Sequence, residues 1–149
     1  MTSTTVFIAD PEKQTSDLCV RLLRKAKDIR VLGTAQTSQD AIAAASLKPQ
    51  VVLFDLKMNK RNEVPALMLF RAKSPRTKFI LLTGRASDAQ ILDAISQGAR
   101  GYLDPTQLHR FLIKAVRVVN AGESWVPRAM VAKIIERLAR LNPQNVLLT

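Results

Sequence analysis

Short strand-like runs recur along the chain, separated by stretches in which apolar residues return every three or four positions. The runs are Val6 to Ala9, Val31 to Ala35, Val51 to Phe54, Phe79 to Leu82 and Gly101 to Leu103. Apolar runs of four or so residues without polar alternation are what strands buried on both faces look like. Their alternation with helical periodicity predicts a β-α-β succession, and hence an α/β fold with a five-stranded, doubly wound parallel sheet and helices on both faces.

The intervening segments carry their own signals. A helix is expected from about Glu12 to Lys27, with Leu18 and Leu22 on its apolar face, and a second after Ser38 through the Ala-rich run to Leu47, ending before Pro49. A third surrounds Pro65 to Ala72, with Pro65 tolerable only in its first turn. Ser87 and Gln90 have capping-box spacing and open a fourth helix that stops at Gly98. A fifth runs from about Thr106 to Ala121, closed by Gly122. After Trp125-Val126-Pro127, the residues Met130, Val131, Ile134, Ile135, Leu138 and Leu141 form an apolar stripe at helical spacing, so a sixth amphipathic helix is expected. It must pack on its own domain, or serve as a linker helix that pairs with another subunit or supports a downstream domain. Asn142 to Asn145 reads as a break before Leu147-Leu148-Thr149.

Composition narrows the class. A chain of 149 residues, 47% of them hydrophobic, suits one domain with a short appendage and not a disordered polymer. The single Cys19 excludes an intramolecular disulfide and fits a reducing, cytoplasmic home, where it would serve as a small buried apolar group. No signal peptide and no apolar run of membrane-spanning length is evident, so no membrane partner is expected. The net charge of +11 favours polyanionic partners, but it is spread over several helices and implies no base-specific reading.

Candidate chemistry sits at the ends of the runs. Asp55 follows four apolar residues, Asp10 ends the first run and Thr83 ends the fourth, so three oxygen-bearing side chains are expected at the C-terminal edge of the sheet, where open α/β folds bind ligands. A buried, unpaired carboxylate is costly, so Asp55 is read as a site residue. On the residues alone, Asp10 before Pro11 reads first as a helix cap with proline at the first helical position. His109, the only histidine, is expected in solvent.

Val6-Phe-Ile-Ala-Asp10, Pro49-Gln-Val-Val-Leu-Phe-Asp55-Leu-Lys-Met58, Ile80-Leu-Leu-Thr83, Gly98-Ala-Arg-Gly-Tyr102-Leu and Ala121-Gly-Glu-Ser-Trp125, in this order, span nearly the whole chain. The sequence thereby resembles the receiver domain of two-component response regulators, in detail the NarL/FixJ (LuxR-type) branch. The resemblance implies a flavodoxin-like receiver over 1–122, then a linker helix and the start of a helix-turn-helix effector domain over 123–149. It also implies a regulatory module, not an enzyme. By position, Asp55 matches the phosphoacceptor served by a histidine kinase, and Asp10 one of two acids that, with the acceptor, hold Mg²⁺. Lys57 matches the residue whose carbonyl joins them, Thr83 the hydroxyl that binds the phosphoryl group, and Tyr102 the aromatic that reports phosphorylation.

Departures from the family pattern fall in the same pocket. Pro11 stands where the second acid should be, and Pro105 where a lysine contacts the phosphoryl oxygens. Lys60 and Glu63 replace the two glycines of the following loop, which loses cheap access to positive φ. Losing one charge-bearing group at such a site costs on the order of a few kcal/mol of transition-state stabilisation. The expectation is therefore an atypical receiver, with weak or absent Mg²⁺ binding at Asp10 and Asp55 and no required cofactor. It would act as a homodimer through its fourth helix, fifth strand, fifth helix and linker helix, and would reach DNA through the effector domain. The alternatives are a working phosphoacceptor at Asp55 and a stand-alone basic adaptor.

Overall fold

The computed structural model describes residues 3–141. Five strands, β1 (Thr4–Ala9), β2 (Ile29–Ala35), β3 (Val51–Phe54), β4 (Lys78–Leu82) and β5 (Ala99–Leu103), form one parallel sheet in the order β2-β1-β3-β4-β5. The chain steps outward from β1 to β2, then returns to place β3 on the other side of β1. The strand order thus reverses between β1 and β3, and the carboxyl ends of these two strands flank the crevice where such sheets bind ligands.

Alternation along the strands divides the core into two layers. Val6, Ile8, Val51, Leu53, Ile80 and Leu82 face α1 (Lys13–Leu23) and α5 (Leu108–Asn120). Phe7, Ala9, Val52, Phe54, Phe79 and Leu81 face α2 (Ser38–Ala43), α3 (Ala66–Lys73) and α4 (Asp88–Ser96). Phe79 takes Phe70 edge-on at 5.4 Å and Phe54 at 6.2 Å between ring centroids, which fixes α3 against β3 and β4. The architecture is the expected one, down to the Ser87–Gln90 capping box at the start of α4. Cys19 is buried, and desolvation pushes its thiol up to about 12.

Several local expectations need correction. Helix α1 starts at Lys13 with Glu12 as its N-cap, so Asp10 and Pro11 lie in the turn before it, and Pro11 is not a first-turn helical residue. The helix also stops at Leu23, four residues short of Lys27, because Lys25 and Ala26 donate to Leu22 and Leu23 in tighter turns that send the chain back into β2. The loop after Met58 does reach positive φ, at Asn62 (φ 63°), since asparagine tolerates the left-handed region better than other side chains. Helix α5 begins at Leu108, behind a 3₁₀ turn over Pro105–Gln107 that Asp104 and Gln107 cap reciprocally.

After α5 the chain crosses the exposed edge of β5. Trp125 donates its N–H to Arg100 and accepts that of Tyr102, forming a single-residue bridge, and its indole packs against Phe111 with Lys114 above the ring. Helix α6 (Arg128–Leu141) then lies against α4. Met130 is buried in the sheet's second layer, Ile134 packs beside it, and Lys133 and Arg137 pair with Asp88 and Asp93 of α4. Val131, Ile135, Leu138 and Leu141 remain exposed, the last three by 60% or more. No described helix is long and apolar enough to cross a membrane. The expected break at Asn142 to Asn145 and the residues Leu147 to Thr149 lie outside the described residues.

Candidate functional site

Asp10, Asp55 and Thr83 follow β1, β3 and β4, three neighbouring strands, so the sheet sets them side by side at its carboxyl edge. The ladder continues through their own backbones: Asp10 N–H donates to Ala35 O, Asp55 to Ala9 O and Thr83 to Leu103 O. All three residues are buried, with Asp10 only 1% exposed.

The two aspartates make the same local turn. Asp10 Oδ1 accepts the N–H of Glu12 at 2.7 Å, and Asp55 Oδ1 accepts that of Lys57 at 2.8 Å, each closing an Asx turn onto the residue two further on. The side chains of those residues then meet, with Lys57 Nζ donating to Glu12 Oε1 at 2.6 Å. Asp10, Glu12, Lys57 and Asp55 thus form a closed arc over the junction of β1 and β3. Asp10 Oδ2 is buried and has no hydrogen-bond partner.

Electrostatics follow from that arrangement. Burial pushes the Asp10 carboxyl up to about 6; the Glu12 N–H works against the rise and the Asp55 charge adds to it. Burial also raises Asp55, opposed by the N–H and the charge of Lys57. Lys57 is held above the ordinary lysine range by its bond to Glu12, with Asp55 and Asp10 acting in the same direction. Glu12 is lowered, chiefly by Lys57 and in smaller part by Arg85.

Pro105 lies beside the same edge. A Cβ built on Gly84, the residue after Thr83, would come 3.3 Å from Pro105 Cδ, so the proline ring packs on this loop where a longer cationic side chain is expected. Asp104 is committed to capping the 3₁₀ turn through the N–H and hydroxyl of Thr106. Tyr102 lies half-buried on β5 against the α4 layer, raised by burial and by Asp104 and Asp88. Among the described residues no hydrogen bond joins its hydroxyl to Thr83. His109 is exposed on α5.

Residues 6–117 match the family model of the response regulator receiver domain. The chain belongs to that family. The transcriptional regulatory protein LnrK of Bacillus subtilis is 29% identical to it over 136 residues, covering 91% of this chain and 62% of LnrK. The response regulator protein VraR of Staphylococcus aureus is 28% identical over 141 residues, covering 94% and 67%. The receiver thus spans about two thirds of the length of the curated relatives it matches. In fold it is similar to a LuxR-family response regulator from Aurantimonas sp. SI85-9A1, at TM-score 0.77 and 19% identity, covering 95% of this chain and 100% of that one. It is also similar to the receiver domain of NarL from Mycobacterium tuberculosis, at TM-score 0.74 and 22% identity, covering 83% and 100%.

Against the family's Mg²⁺, the donor set of this receiver falls short. The orphaned Asp10 Oδ2 would suit a cation, and Asp55 stands on the neighbouring strand. Pro11 supplies no ligand, however, and among the described residues no three His, Cys, Asp or Glu side chains are grouped to hold a metal ion. The positive charge acting on both aspartates is the Lys57 ammonium. Sequence reasoning assigned Lys57 only a backbone role and passed over Glu12 and Arg85. Glu12 is the next acid after Asp10, and Arg85 lies two residues beyond Thr83, so spacing alone could have flagged both.

Proposed function

We propose that this chain is the regulatory receiver of a transcriptional response regulator and that it works by self-association without phosphoryl control. The observation that carries the second half is the arc over Asp55: one oxygen of its carboxylate accepts the Lys57 N–H, and Lys57 is tied across the crevice to Glu12. Pro11 and Pro105 add no charge where the family uses an acid and a lysine. A phosphoryl group on Asp55 would meet neither a complete metal site nor the expected cation, and Tyr102 would have no such change to read.

The role in transcription comes from the relatives, two of which are named as transcriptional regulatory proteins. In such a regulator the receiver's oligomeric state would set how a DNA-binding domain engages its site. The α6 stripe supports self-association: helix α6 covers α4 with one edge and turns Ile135, Leu138 and Leu141 outward. Lys133 and Arg137 are paired with acids of α4 and Arg140 lies 3.9 Å from Glu136, which limits the repulsion between two such helices.

A second reading, a working phosphoacceptor, is favoured by one observation, the common edge shared by Asp55 and Thr83. Sedimentation velocity with and without a small-molecule phosphodonor and Mg²⁺ separates the two. The proposed function predicts a monomer–dimer equilibrium that the phosphodonor leaves unchanged; a dimer formed only after phosphodonor treatment would favour the second reading.

A further inference from the structure

We propose that the amino edge of the sheet, opposite the Asp55 crevice, is a contact surface for the phosphate backbone of duplex DNA. The helices run back along the parallel strands, so the turns that lead into β2, β3 and β4 all lie at this edge. Those turns carry Lys25 and Lys27, then Lys48, then Lys73 and Arg76, all exposed. Asp28 stands in the first of them, but Arg117 Nε and Nη2 bind its two oxygens at 2.9 and 2.7 Å, so it leaves the lysines unneutralised.

The centre of the surface is a built cleft of about 640 Å³ between the turns before β3 and β4, lined by Lys48, Lys73, Arg76 and Lys78 and by no acid. Buried hydroxyls fix its floor. Thr77 donates to Pro49 O at 2.6 Å, which uses its only side-chain proton, so Ser74 is the donor in the 2.6 Å bond between the two hydroxyls. These bonds tie one turn to the other. Lys78 Nζ is held against Asn120 O at 2.9 Å. Lys48, Lys73 and Arg76 have no ion-pair partner among the described residues. Lys73 also complements the carbonyls that end α3, but Lys48 and Arg76 lie beyond the α-helices, where that role does not explain them.

The lining selects the partner. Cations gathered in a cleft without acids focus their attraction on polyanions. No aromatic side chain lines the cleft, so a single strand would find no surface on which to stack its bases. Pro49 and Pro75 are its apolar residues, too few to insert into a lipid surface. The cations also continue past the cleft: β4 and β2 are three strand spacings apart, about 14 Å, a length over which a duplex carries on the order of eight phosphates. A small phosphorylated ligand in the cleft would leave Lys25 and Lys27 unused. Such a contact positions a duplex and reads no bases. The inference goes beyond the proposed function, and only the choice of DNA rests on it, through the role in transcription.

The test is fluorescence anisotropy of a short mixed-sequence DNA duplex titrated with the full chain, at salt from about 50 to about 200 mM. Two variants each lose three cations. Lys48→Asn/Lys73→Gln/Arg76→Gln strips the cleft, with asparagine at position 48 because φ there is 48°. Lys13→Gln/Lys60→Gln/Arg128→Gln removes the same charge from exposed positions elsewhere. Wild type should bind whatever the sequence, with affinity falling steeply as salt rises. The cleft variant should bind roughly tenfold or more weakly and flatten the slope of log affinity against log salt by about 2 to 3, and the control variant should change both by less than half as much. Equal losses in the two variants, or no duplex binding at the lowest salt, would overturn the inference. Displacement of the duplex by inorganic pyrophosphate at equal phosphate concentration, or binding of phosphatidylserine vesicles in place of the duplex, would overturn it too, in favour of a small anion or a membrane. Sedimentation tests the proposed self-association separately, so failure of one is not failure of the other.

Discussion

Arg137 on α6 donates to Asp93 on α4 at 2.7 Å, one helical turn along from the pairing of Lys133 with Asp88. These contacts orient α6, but they are exposed on at least one side and such pairs contribute about 0–1 kcal/mol each. The buried anchor is Met130. Truncating a buried methionine costs roughly 2–5 kcal/mol. Met130→Ala is therefore expected to release α6 from the domain, whereas Asp93→Asn should leave it docked. Amide hydrogen exchange along α6 checks this: protection should collapse in the first variant and persist in the second, at low and at high salt.

The outward stripe of the same helix yields a separate expectation. Leu138 is 63% exposed and Ile135 60%, so charging either position should cost the monomer less than about 0.5 kcal/mol. Leu138→Glu paired with Ile135→Glu should nevertheless abolish self-association by placing like charges in a shared apolar seam. Sedimentation velocity and a thermal melt on the same sample suffice. Loss of the dimer at unchanged melting temperature is the expected result.

Most of the architecture could be read from the pattern of the chain. Strands such as Val51 to Phe54 are apolar throughout because they are buried on both faces, and that signal does not depend on neighbours. Helix ends were less legible: α1 ends at Leu23 because the following turns must feed Ile29 into β2, a tertiary demand that periodicity does not encode. At the site, the positions of Asp10, Asp55 and Thr83 followed from the strand ends. The Glu12–Lys57 contact did not, because its partners are 45 residues apart and meet only once β1 and β3 are adjacent.

Stability should depend on pH through Asp10. Its folded carboxyl is raised to about 6 from an ordinary 3.8, so the folded chain keeps this proton to higher pH than the unfolded chain. The sign follows: the group costs nothing where both states are protonated, destabilises progressively as pH rises from about 4 to 6, and holds its full cost above that, on the order of 2–3 kcal/mol. Asp10→Asn keeps an acceptor for the Glu12 N–H and removes the charge. Urea denaturation should find the variant more stable than wild type at pH 8, with the advantage falling by more than half at pH 4.5. A variant less stable at pH 8 would show that the ionised carboxylate is instead stabilised by its surroundings.

The central claim is that the pocket around Asp55 no longer serves phosphoryl transfer. Intact mass after incubation with a small-molecule phosphodonor and Mg²⁺, on wild type and on Asp55→Asn, tests it most directly. The account predicts no phosphate adduct on either protein. An adduct on wild type that disappears in Asp55→Asn would contradict it, and would mean that Asp55 accepts phosphate despite Pro11, Pro105 and the Lys57–Glu12 bridge.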